Sequence, residues 1–409
     1  MVNQAFDFKQ FRKLQRLGDV FLPNCNIDVI KTKLIEVEKL IQNNIDNYEF
    51  TSIKTTKKND KLIYLLDKNA DNFIYDEFIL RKINHNIKRI YKVKQADRNI
   101  IVNQIYNILK ENPNYYIYRL DINSFYEAIN RNKIVNKIFS SSVISVETKK
   151  LLQKVFERIQ ETEGLPRGLS ISATLSELYM KDFDYSIVTT DGVFYYSRFV
   201  DDIIIFSIKE LTFDYLNKTL QENTSLKFNN KKTKIIKMES NKQETFEYLG
   251  YQYVINKNST KLKKDSINVN IAPKKINKIK TKIILSLLDY NKNKNFELLK
   301  NRFLFLTCTY PIKTSHQKIS SYKNSGYLQG GLFYNYHSLS EDNASLKKLD
   351  EFVRNILFSN NIYSQALRLS DKKELAKYSF AVAYNRKFTR NYNAKRFEIN
   401  NITRCWKYA

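Results

Sequence analysis

The chain has 409 residues and a formal net charge of +27, from 69 lysines and arginines against 42 aspartates and glutamates. Three scattered cysteines and three histidines, none at metal-ligand spacing, exclude a disulfide framework, a zinc site and a nucleophilic triad. No apolar run approaches the ~20 residues of a membrane span, so we expect a cytoplasmic protein without a membrane partner. The positive surplus indicates a polyanionic partner, most often nucleic acid, because codon bias toward lysine would not by itself keep acids scarce.

The first 112 residues are predicted to be mostly helical, with one loop. Residues 27–45 carry apolar side chains at helical spacing, and residues 73–90 combine aromatic with basic side chains. Residues 51–60 are polar and lysine-rich, which favours a loop. Lys94 then lies in a short alternating run, and Arg98 stands at the head of a further helix.

Two strand-like runs end in carboxylates. Residues 115–121 (YYIYRLD) end in Asp121, and residues 193–206 (VFYYSRFVDDIIIF) place Asp201 and Asp202 between two apolar runs. The second run suits a tight hairpin with both aspartates at its tip. Adjacent carboxylates repel each other and resist burial, and a divalent cation such as Mg²⁺ removes both problems. The alternative is a solvated turn, where aspartate is common.

The spacing of these carboxylates favours one shared site. The 80 residues (201 − 121) between Asp121 and Asp201 leave room for helical crossover structure that returns the chain to a neighbouring strand. Strand ends could then bring Asp121 and Asp201 to one pair of metal ions, the layout that two-metal phosphoryl transfer needs. Between them, Gly164 and Gly168 bracket Pro166, a pattern typical of a turn with close backbone approach.

The last third of the chain is basic and helical in pattern. Residues 257–282 hold nine lysines against one acid, and Pro273 suits the first turn of a helix. The lysines of this helix suit a nucleic-acid backbone, with a solvated helix face as the alternative. The glycine-rich residues 326–336 suit a packed turn more than a base-stacking surface. The tail, residues 384–408, interleaves basic and aromatic side chains, which suits single-stranded RNA.

Five stretches, in order, resemble the motifs of reverse transcriptases. They are Asp121 with Phe125 and Tyr126 (motif A), residues 164–168 (GLPRG) with Ser172 (motif B), residues 199–202 (FVDD, motif C), Asn229 with Lys232 and Thr233 (motif D), and residues 246–250 (FEYLG, motif E). The resemblance implies an α+β right-hand polymerase with fingers, an RRM-like antiparallel palm and a helical thumb. It also implies RNA-directed DNA polymerase activity.

The resemblance divides the chain into three regions. Residues 1–112 would form an N-terminal helical extension and the fingers. Residues 113–256 would form the palm, with interleaved fingers helices and all five motifs. Residues 257–409 would form a basic helical thumb and a C-terminal RNA-binding region.

The resemblance also implies residue roles. Two Mg²⁺ ions, or Mn²⁺ in their place, would be held by Asp121, Ile122, Asp201 and Asp202, with Lys232 near the leaving pyrophosphate. The incoming deoxynucleotide would be bound by Lys94, Arg98, Phe125, Tyr126, Arg167 and Gly168. Primer and template would contact Phe199, Leu249, Gly250, Lys274, Lys275 and Lys278.

For three of the residues expected to bind the nucleotide, the resemblance implies a more specific role. The Tyr126 ring would leave no room for a 2′-hydroxyl, unless it is a core aromatic. Gly168 would pack against the nascent base pair. Arg167 stands where most reverse transcriptases have Gln, and would add charge against a phosphate or a template base. Asp182 and Asp184, later in the same stretch, are predicted to be surface or capping acids.

Finer details point to a subgroup. The sequences GLPRG, RFVDD and SFYEAI are similar to those of bacterial abortive-infection and defence-associated reverse transcriptases, and NQAFDFKQF with the chain's end resembles the smaller enzyme of the type 3 defence system. This implies antiphage defence with a dedicated non-coding RNA template, deoxynucleotide substrates and a DNA product. A second reverse transcriptase, in a homo- or hetero-oligomer, is a further expected partner. The alternatives are protein-primed or untemplated DNA synthesis, and a degenerate polymerase serving as an RNA-binding scaffold.

Overall fold

The computed structural model describes residues 2–16, 19, 26–58, 60–111, 114–161, 163–238, 243–256, 266–312, 328–341, 343–390 and 396–407. The chain packs into two compact units. The first comprises Met1–Asp97, Asn114–Lys237 and Ser315–Ser325, and the second Arg98–Pro113, Met238–Thr314 and Gly326–Ala409. The three predicted regions, with boundaries after residues 112 and 256, do not coincide with these units and stay a prediction about function.

The secondary structure alternates helices and short strands. In chain order the elements of the N-terminal half are α1 (Phe8–Lys13), α2 (Ile27–Asn44), β1 (Ile53–Lys58), β2 (Lys61–Leu66), α3 (Phe73–Ile90), α4 (Arg98–Lys110), β3 (Tyr116–Asp121), α5 (Phe125–Ala128), α6 (Arg131–Phe139), α7 (Val146–Glu157), α8 (Ser170–Val188), β4 (Val193–Phe199), β5 (Asp202–Ser207), α9 (Phe213–Thr224) and β6 (Lys234–Lys237). They continue with β7 (Gln243–Tyr248), β8 (Tyr251–Asn256), β9 (Ser266–Ile271), α10 (Pro273–Asn293), α11 (Phe296–Thr307), β10 (Thr309–Ile312), β11 (Leu328–Gly331), α12 (Leu332–Asn335), α13 (Ala344–Phe358), α14 (Leu369–Leu375), α15 (Phe380–Asn385) and α16 (Arg396–Thr403). None of these helices is both long enough and apolar enough to cross a membrane.

The first unit is built on a four-stranded antiparallel sheet. Its strand order is β4-β5-β3-β6, and α9 lies in the chain between β5 and β6. The helices between β3 and β4 complete a βαββαβ arrangement, the RRM-like topology expected from the sequence. The strand β5 is apolar and buried from Ile203 to Phe206, and it pairs with β4 on one side and β3 on the other. The ends of β3 and β5 are thereby fixed side by side.

A two-stranded hairpin, β1 and β2, also belongs to the first unit. Its register runs from Ile53 opposite Leu66 to Lys58 opposite Lys61. The loop predicted over residues 51–60 is therefore wrong. Apart from Ile53, every side chain of β1 is exposed, so the strand has no apolar alternation and is held by backbone pairing with β2.

Predicted helices of the first unit follow their apolar spacing. In α2 the buried side chains Ile30, Leu34, Val37 and Ile41 recur every three or four residues. The helix begins where the side chain of Asn26 accepts a hydrogen bond from the backbone N–H of Val29. This confirms the helix predicted from residues 27–45.

The second unit has its own sheet and core. Strands β7, β8 and β9 form an antiparallel sheet, and α10 follows it directly. Pro273 occupies the first turn of α10, where its missing N–H costs nothing, and Ile276, Ile283 and Leu287 are buried along one side. The lysines of α10 fall on its remaining faces, as the sequence predicted.

The glycine-rich turn of the second unit and one aromatic residue of its basic tail are packed. Gly331 ends β11 at φ +102, and Leu332 is buried at the start of α12, which supports the packed turn over the described part of residues 326–336. Trp406 is 6% exposed, and its indole N–H donates to the Ser286 hydroxyl and the Lys282 carbonyl oxygen, both at 3.0 Å. Trp406 is therefore not free to stack on a base. Residues 391–395 and 408, and the side chains of 396–398, lie outside the described residues.

Candidate active site

Three carboxylates meet at one end of the first unit's sheet. Asp121 is the last residue of β3 and Asp202 the first of β5, and the two stand directly opposite each other in the antiparallel register. Asp201 lies in the turn before β5. The backbone N–H of Ile122 donates to the carbonyl oxygen of Asp201 at 3.3 Å, which ties the turn to the end of β3. The structure therefore brings together the three acids that the sequence singled out.

The turn that carries Asp201 is a tight and strained one. Phe199 pairs with Asp202, so only Val200 and Asp201 form the loop of the β4–β5 hairpin. Val200 has φ +60, in a region that glycine takes readily and a β-branched residue does not. Such a conformation costs of order 1–3 kcal/mol and persists only where neighbouring contacts impose it.

At two of the acids, burial and like charge outweigh the nearby positive charges. Burial, and then the neighbouring carboxylate of Asp201, raises the pKa of Asp202 to about 6. Burial also raises the pKa of Asp201, with the Asp121 carboxylate adding to it. A buried acid whose pKa rises is one that would gain from a cation, because the cation would stabilise its charged form.

Lys232 supplies one positive charge at this site. Its ammonium group donates to both carboxylate oxygens of Asp121, at 3.0 and 3.1 Å, from a side chain that is 57% exposed. The loop that carries Lys232 is anchored, because the N–H of Asn229 donates to the Asp121 carbonyl oxygen at 2.8 Å. The predicted role of Lys232 at a leaving pyrophosphate stays a prediction, since here the ammonium neutralises a carboxylate.

The donor chemistry of the three acids fits a hard divalent cation. Across the ranges given above, no three or more His, Cys, Asp or Glu side chains already stand in a metal-binding arrangement. The acids are nonetheless oxygen donors of the type Mg²⁺ prefers, and the Lys232 ammonium already takes a cation's place on Asp121. We therefore assign Asp121, Asp201 and Asp202 as the residues that would hold the metal.

The burial of Asp202, with the repulsion from Asp201, makes a measurable prediction for stability. The pKa of Asp202 is about 6 in the folded protein and near 4 in the unfolded chain, so its stabilising contribution below pH 4 is lost as the pH rises through 6. Asp202→Asn should therefore raise the free energy of unfolding by about 1 to 3 kcal/mol at pH 7 without divalent cations. Thermal and denaturant unfolding between pH 4 and 8 in EDTA measures this difference.

Asp191 provides the matched control for that measurement. It is exposed, and its hydrogen bond with Lys209 lowers its pKa, which is the opposite shift. Asp191→Asn should leave stability at pH 7 unchanged or slightly reduced. Equal stability of Asp202→Asn and the wild type at pH 7 would contradict the inferred cost of a buried Asp202 carboxylate beside Asp201.

Phe125 and Tyr126, both predicted to lie near the sugar of the nucleotide, differ in their burial. Phe125 is 3% exposed and its side chain belongs to the apolar core, so its predicted contact with the nucleotide stays a prediction without support from its position. Tyr126 is only half-buried and packs edge-on against Phe125, with ring centroids 5.4 Å apart. Tyr126 is therefore the ring available to a nucleotide.

Arg167 has a partner that the sequence did not reveal. Its guanidinium binds the Glu127 carboxylate through three contacts of 2.9, 3.0 and 3.2 Å, and lies 5.1 Å from the Tyr126 ring centre. Lys61, from β2, approaches the same carboxylate at 3.6 Å. The predicted contact of Arg167 with a phosphate or template base is replaced here by an ion pair beside Tyr126.

The two glycines around Pro166 are explained by protein backbone. A Cβ on Gly168, which has φ +105, would lie 2.4 Å from the carbonyl oxygen of Tyr64 in β2. The N–H of Tyr64 also donates to the Arg167 carbonyl oxygen at 2.7 Å. The expectation that Gly168 makes room for a base pair is therefore corrected, because the β1–β2 hairpin fills that space. Gly164 likewise faces the Glu127 carbonyl, at 2.9 Å from a Cβ.

The predicted triphosphate ligands Lys94 and Arg98 lie in different units. Lys94 is exposed in the first unit. Arg98, in the second, donates from Nε and Nη2 to the Leu249 carbonyl oxygen and from Nη1 to that of Asn335, at 2.7 to 2.9 Å. Its guanidinium also lies 5.0 Å from the Tyr251 ring centre. All three nitrogens of Arg98 are thus engaged within the second unit, and its predicted triphosphate role stays a prediction.

The remaining predicted nucleic-acid contacts are placed as follows. Phe199 is half-buried at the end of β4. Leu249 and Gly250 form the turn between β7 and β8, with φ of +48 and +83. Lys274, Lys275 and Lys278 are exposed on α10. Their contacts with primer or template stay predictions.

These lysines allow a direct test of backbone binding. Reversing Lys274, Lys275 and Lys278 to Glu should weaken primer–template binding regardless of sequence, and should reduce the slope of log K against log salt by about 3, at roughly 0.9 per phosphate contact. Filter binding or fluorescence anisotropy at several salt concentrations measures both. Reversal of three other exposed lysines, Lys31, Lys39 and Lys218, changes the net charge equally and is the control. An equal loss in both triple variants would mean that only net charge matters.

The sequence also missed a buried charge cluster behind the carboxylates. Asp184, predicted as a surface or capping acid, accepts hydrogen bonds from Arg198 at 2.7 and 2.9 Å. Glu177 binds the same guanidinium, which is 4% exposed. An arginine directly preceding the FVDD stretch was the available signal, but its partners lie elsewhere in the chain.

Comparison with known proteins finds a family model that matches part of the chain. Residues 57–253, just under half of the chain, match the family described as Reverse transcriptase (RNA-dependent DNA polymerase). No protein of curated function matches significantly. The matched residues include all three carboxylates. Together with the strand order, they confirm the predicted α+β polymerase fold with its RRM-like palm.

Solved structures of telomerases are distantly similar. The apo telomerase of Candida tropicalis truncated from its C-terminal domain is 16% identical, with 51% of this chain and 54% of that chain covered and a TM-score of 0.36. The Candida albicans telomerase in complex with a fragment of telomeric RNA is 11% identical, with 89% and 62% covered and a TM-score of 0.38. The apo Candida tropicalis telomerase is 13% identical, with 87% and 65% covered and a TM-score of 0.37. The chain thus spans less than two thirds of these structures.

Proposed function

We propose that this chain, which carries a reverse transcriptase domain over residues 57–253, is an RNA-directed DNA polymerase that adds deoxynucleotides to a primer. One observation carries the proposal. Asp121 and Asp202 stand opposite each other at the end of two paired strands, with Asp201 in the adjoining turn. Clustering three acids costs free energy, because their charges repel each other and are partly desolvated. In a protein of net charge +27, binding divalent ions for phosphoryl transfer explains why such a cluster exists.

The chain's own residues divide the work of the reaction. Asp121, Asp201 and Asp202 would hold two Mg²⁺ ions, or Mn²⁺, which supply activation of the attacking hydroxyl and stabilisation of charge on the phosphate. Tyr126 would bound the sugar of the incoming nucleotide. The Lys232 ammonium, now on Asp121, is exposed enough to turn toward a leaving pyrophosphate.

The finer assignment rests on short sequence resemblances. We propose that the enzyme acts in bacterial antiphage defence in the cytoplasm, copying a dedicated non-coding RNA with a second reverse transcriptase as partner. The sequences GLPRG, RFVDD and SFYEAI support this placement. The basic lysines of α10 support a nucleic-acid partner in general.

The test is a primer-extension assay with sequencing of the product. Purified protein receives an RNA template with a DNA primer, the four deoxynucleotides and Mg²⁺, in parallel with reactions lacking template or primer. A product complementary to the template supports the proposal. A product of unrelated sequence without template indicates untemplated or protein-primed synthesis, and RNA binding without any product indicates a scaffold. Sequencing RNA that copurifies with the protein identifies the template and tests the defence assignment.

A further inference from the structure

Arg198 lies next to the Val200–Asp201 turn, and all of its guanidinium nitrogens donate hydrogen bonds. It lies in β4, three residues before Asp201, and its side chain is 4% exposed. Its Nε and Nη2 donate to Asp184 at 2.9 and 2.7 Å, and Nη1 and Nη2 donate to Glu177 at 3.2 and 2.7 Å. Nη1 also donates to the Val200 carbonyl oxygen at 3.0 Å. These five bonds match the five N–H groups of a guanidinium.

The two acids belong to one helix, and the carbonyl belongs to the strained turn. Glu177 and Asp184 lie two turns apart on α8, so the guanidinium is held by a rigid element on two sides. Val200 is the residue at φ +60, and its neighbour Asp201 carries one of the three carboxylates. A bond to the Val200 carbonyl fixes the peptide that joins Val200 to Asp201. The contact is thus of the kind that can impose an unfavourable backbone conformation.

Helix α8 is also connected to the nucleotide side of the site. It begins at Ser170, directly after the GLPRG stretch, and the Ser172 hydroxyl donates to the Pro166 carbonyl oxygen at 2.7 Å. The same helix therefore holds the loop that carries Arg167 and, through Arg198, the turn that carries Asp201.

We propose that Arg198 is a positioning residue, which uses Glu177 and Asp184 as its anchor to hold the Val200–Asp201 peptide and thereby aims the Asp201 carboxylate. This deepens the proposed polymerase function and rests on it. The role demands arginine, because a lysine ammonium has three donors and cannot reach two carboxylates and a carbonyl in fixed planar geometry.

A triple variant separates positioning from simple stabilisation. Arg198→Met alone leaves two partly buried acids without their partner and can fail to fold. Combining it with Glu177→Gln and Asp184→Asn removes the unpaired charges and restores the fold, while the Val200 carbonyl stays unheld. The matched control replaces another buried arginine that binds two acids, Arg81, in the variant Arg81→Met with Asp19→Asn and Glu77→Gln.

Three measurements are made on each variant. Thermal unfolding reports the fold, and amide hydrogen exchange reports the turn through residues 201–203 and the Ile122 N–H, which bonds the Asp201 carbonyl. Single-nucleotide extension gives kcat and KM. In the Arg198 triple variant we expect exchange at these amides to rise about tenfold or more, and kcat to fall about tenfold or more with KM changed less than about threefold. The Arg81 triple variant should keep wild-type exchange at these amides and wild-type kcat.

Two outcomes overturn the inference. One is a folded Arg198 triple variant with wild-type exchange at the turn. The other is an Arg198 triple variant in which both kcat and stability equal those of the wild type, which would mean that Arg198 acts only through packing. The exchange measurement does not depend on activity, so an inactive wild type would defeat the polymerase assignment while the effect of Arg198 on the turn is still decided.

Discussion

Replacing Asp201 or Asp121 with alanine should abolish nucleotide incorporation while the protein stays folded. Each change removes a carboxylate that would hold a divalent ion, and removal of such a ligand leaves no substitute donor at the same place. We expect the rate of single-nucleotide extension to fall by at least about a thousandfold. Stability should rise rather than fall in Asp201→Ala, because burial and the Asp121 carboxylate already raise the pKa of Asp201.

The control for this experiment is another aspartate of the same unit. Asp191 lies in the turn before β4, is exposed and binds Lys209, away from the facing ends of β3 and β5. Asp191→Ala should extend a primer at the wild-type rate. Incorporation at the wild-type rate by a folded Asp201→Ala variant would defeat the polymerase assignment altogether.

Removing the ring of Tyr126 should relax the choice of sugar. The ring is half-buried, packs against Phe125 and has the Arg167 guanidinium 5.1 Å from its centre, so it is held in place rather than free to swing away. A ring fixed in this way would collide with a 2′-hydroxyl but not with a hydrogen. Tyr126→Ala should raise the ratio of kcat/KM for ribonucleotides over deoxynucleotides by about a hundredfold, with some loss of deoxynucleotide efficiency.

Two further variants show whether the ring itself or its support sets the ratio. Tyr126→Phe keeps the ring and should keep deoxynucleotide preference. Glu127→Gln removes the ion pair that holds Arg167 over the ring, and should relax the preference by a smaller factor. The measurement is single-nucleotide extension with paired ribo- and deoxynucleotides. An unchanged ratio in Tyr126→Ala would show that motif A is misplaced, since Phe125 is buried and cannot replace it as the gate.

The sequence alone was sufficient for the core of the site. Asp121, Asp201 and Asp202 each adjoin an aromatic or β-branched run, and such runs favour strands. Their pairing across β3 and β5 follows from the crossover that the chain length allows. The helical stripe of α2 and the proline start of α10 are equally local signals, and both were found where the sequence placed them.

Only the tertiary structure decided which partner each polar side chain takes. In the sequence, Arg98, Arg167 and Arg198 are all basic residues next to a motif, and nothing local distinguishes them. In the structure, each guanidinium donates hydrogen bonds to different carbonyl or carboxylate groups. The β1–β2 hairpin was missed because exposed strands show no apolar alternation, and with it the reason for Gly168. A guanidinium binds whatever acceptors the fold brings within about 3 Å, and those acceptors come from distant parts of the chain. Local pattern therefore determined the strands and their terminal acids, while the contacts that hold and aim those acids depended on the folded whole.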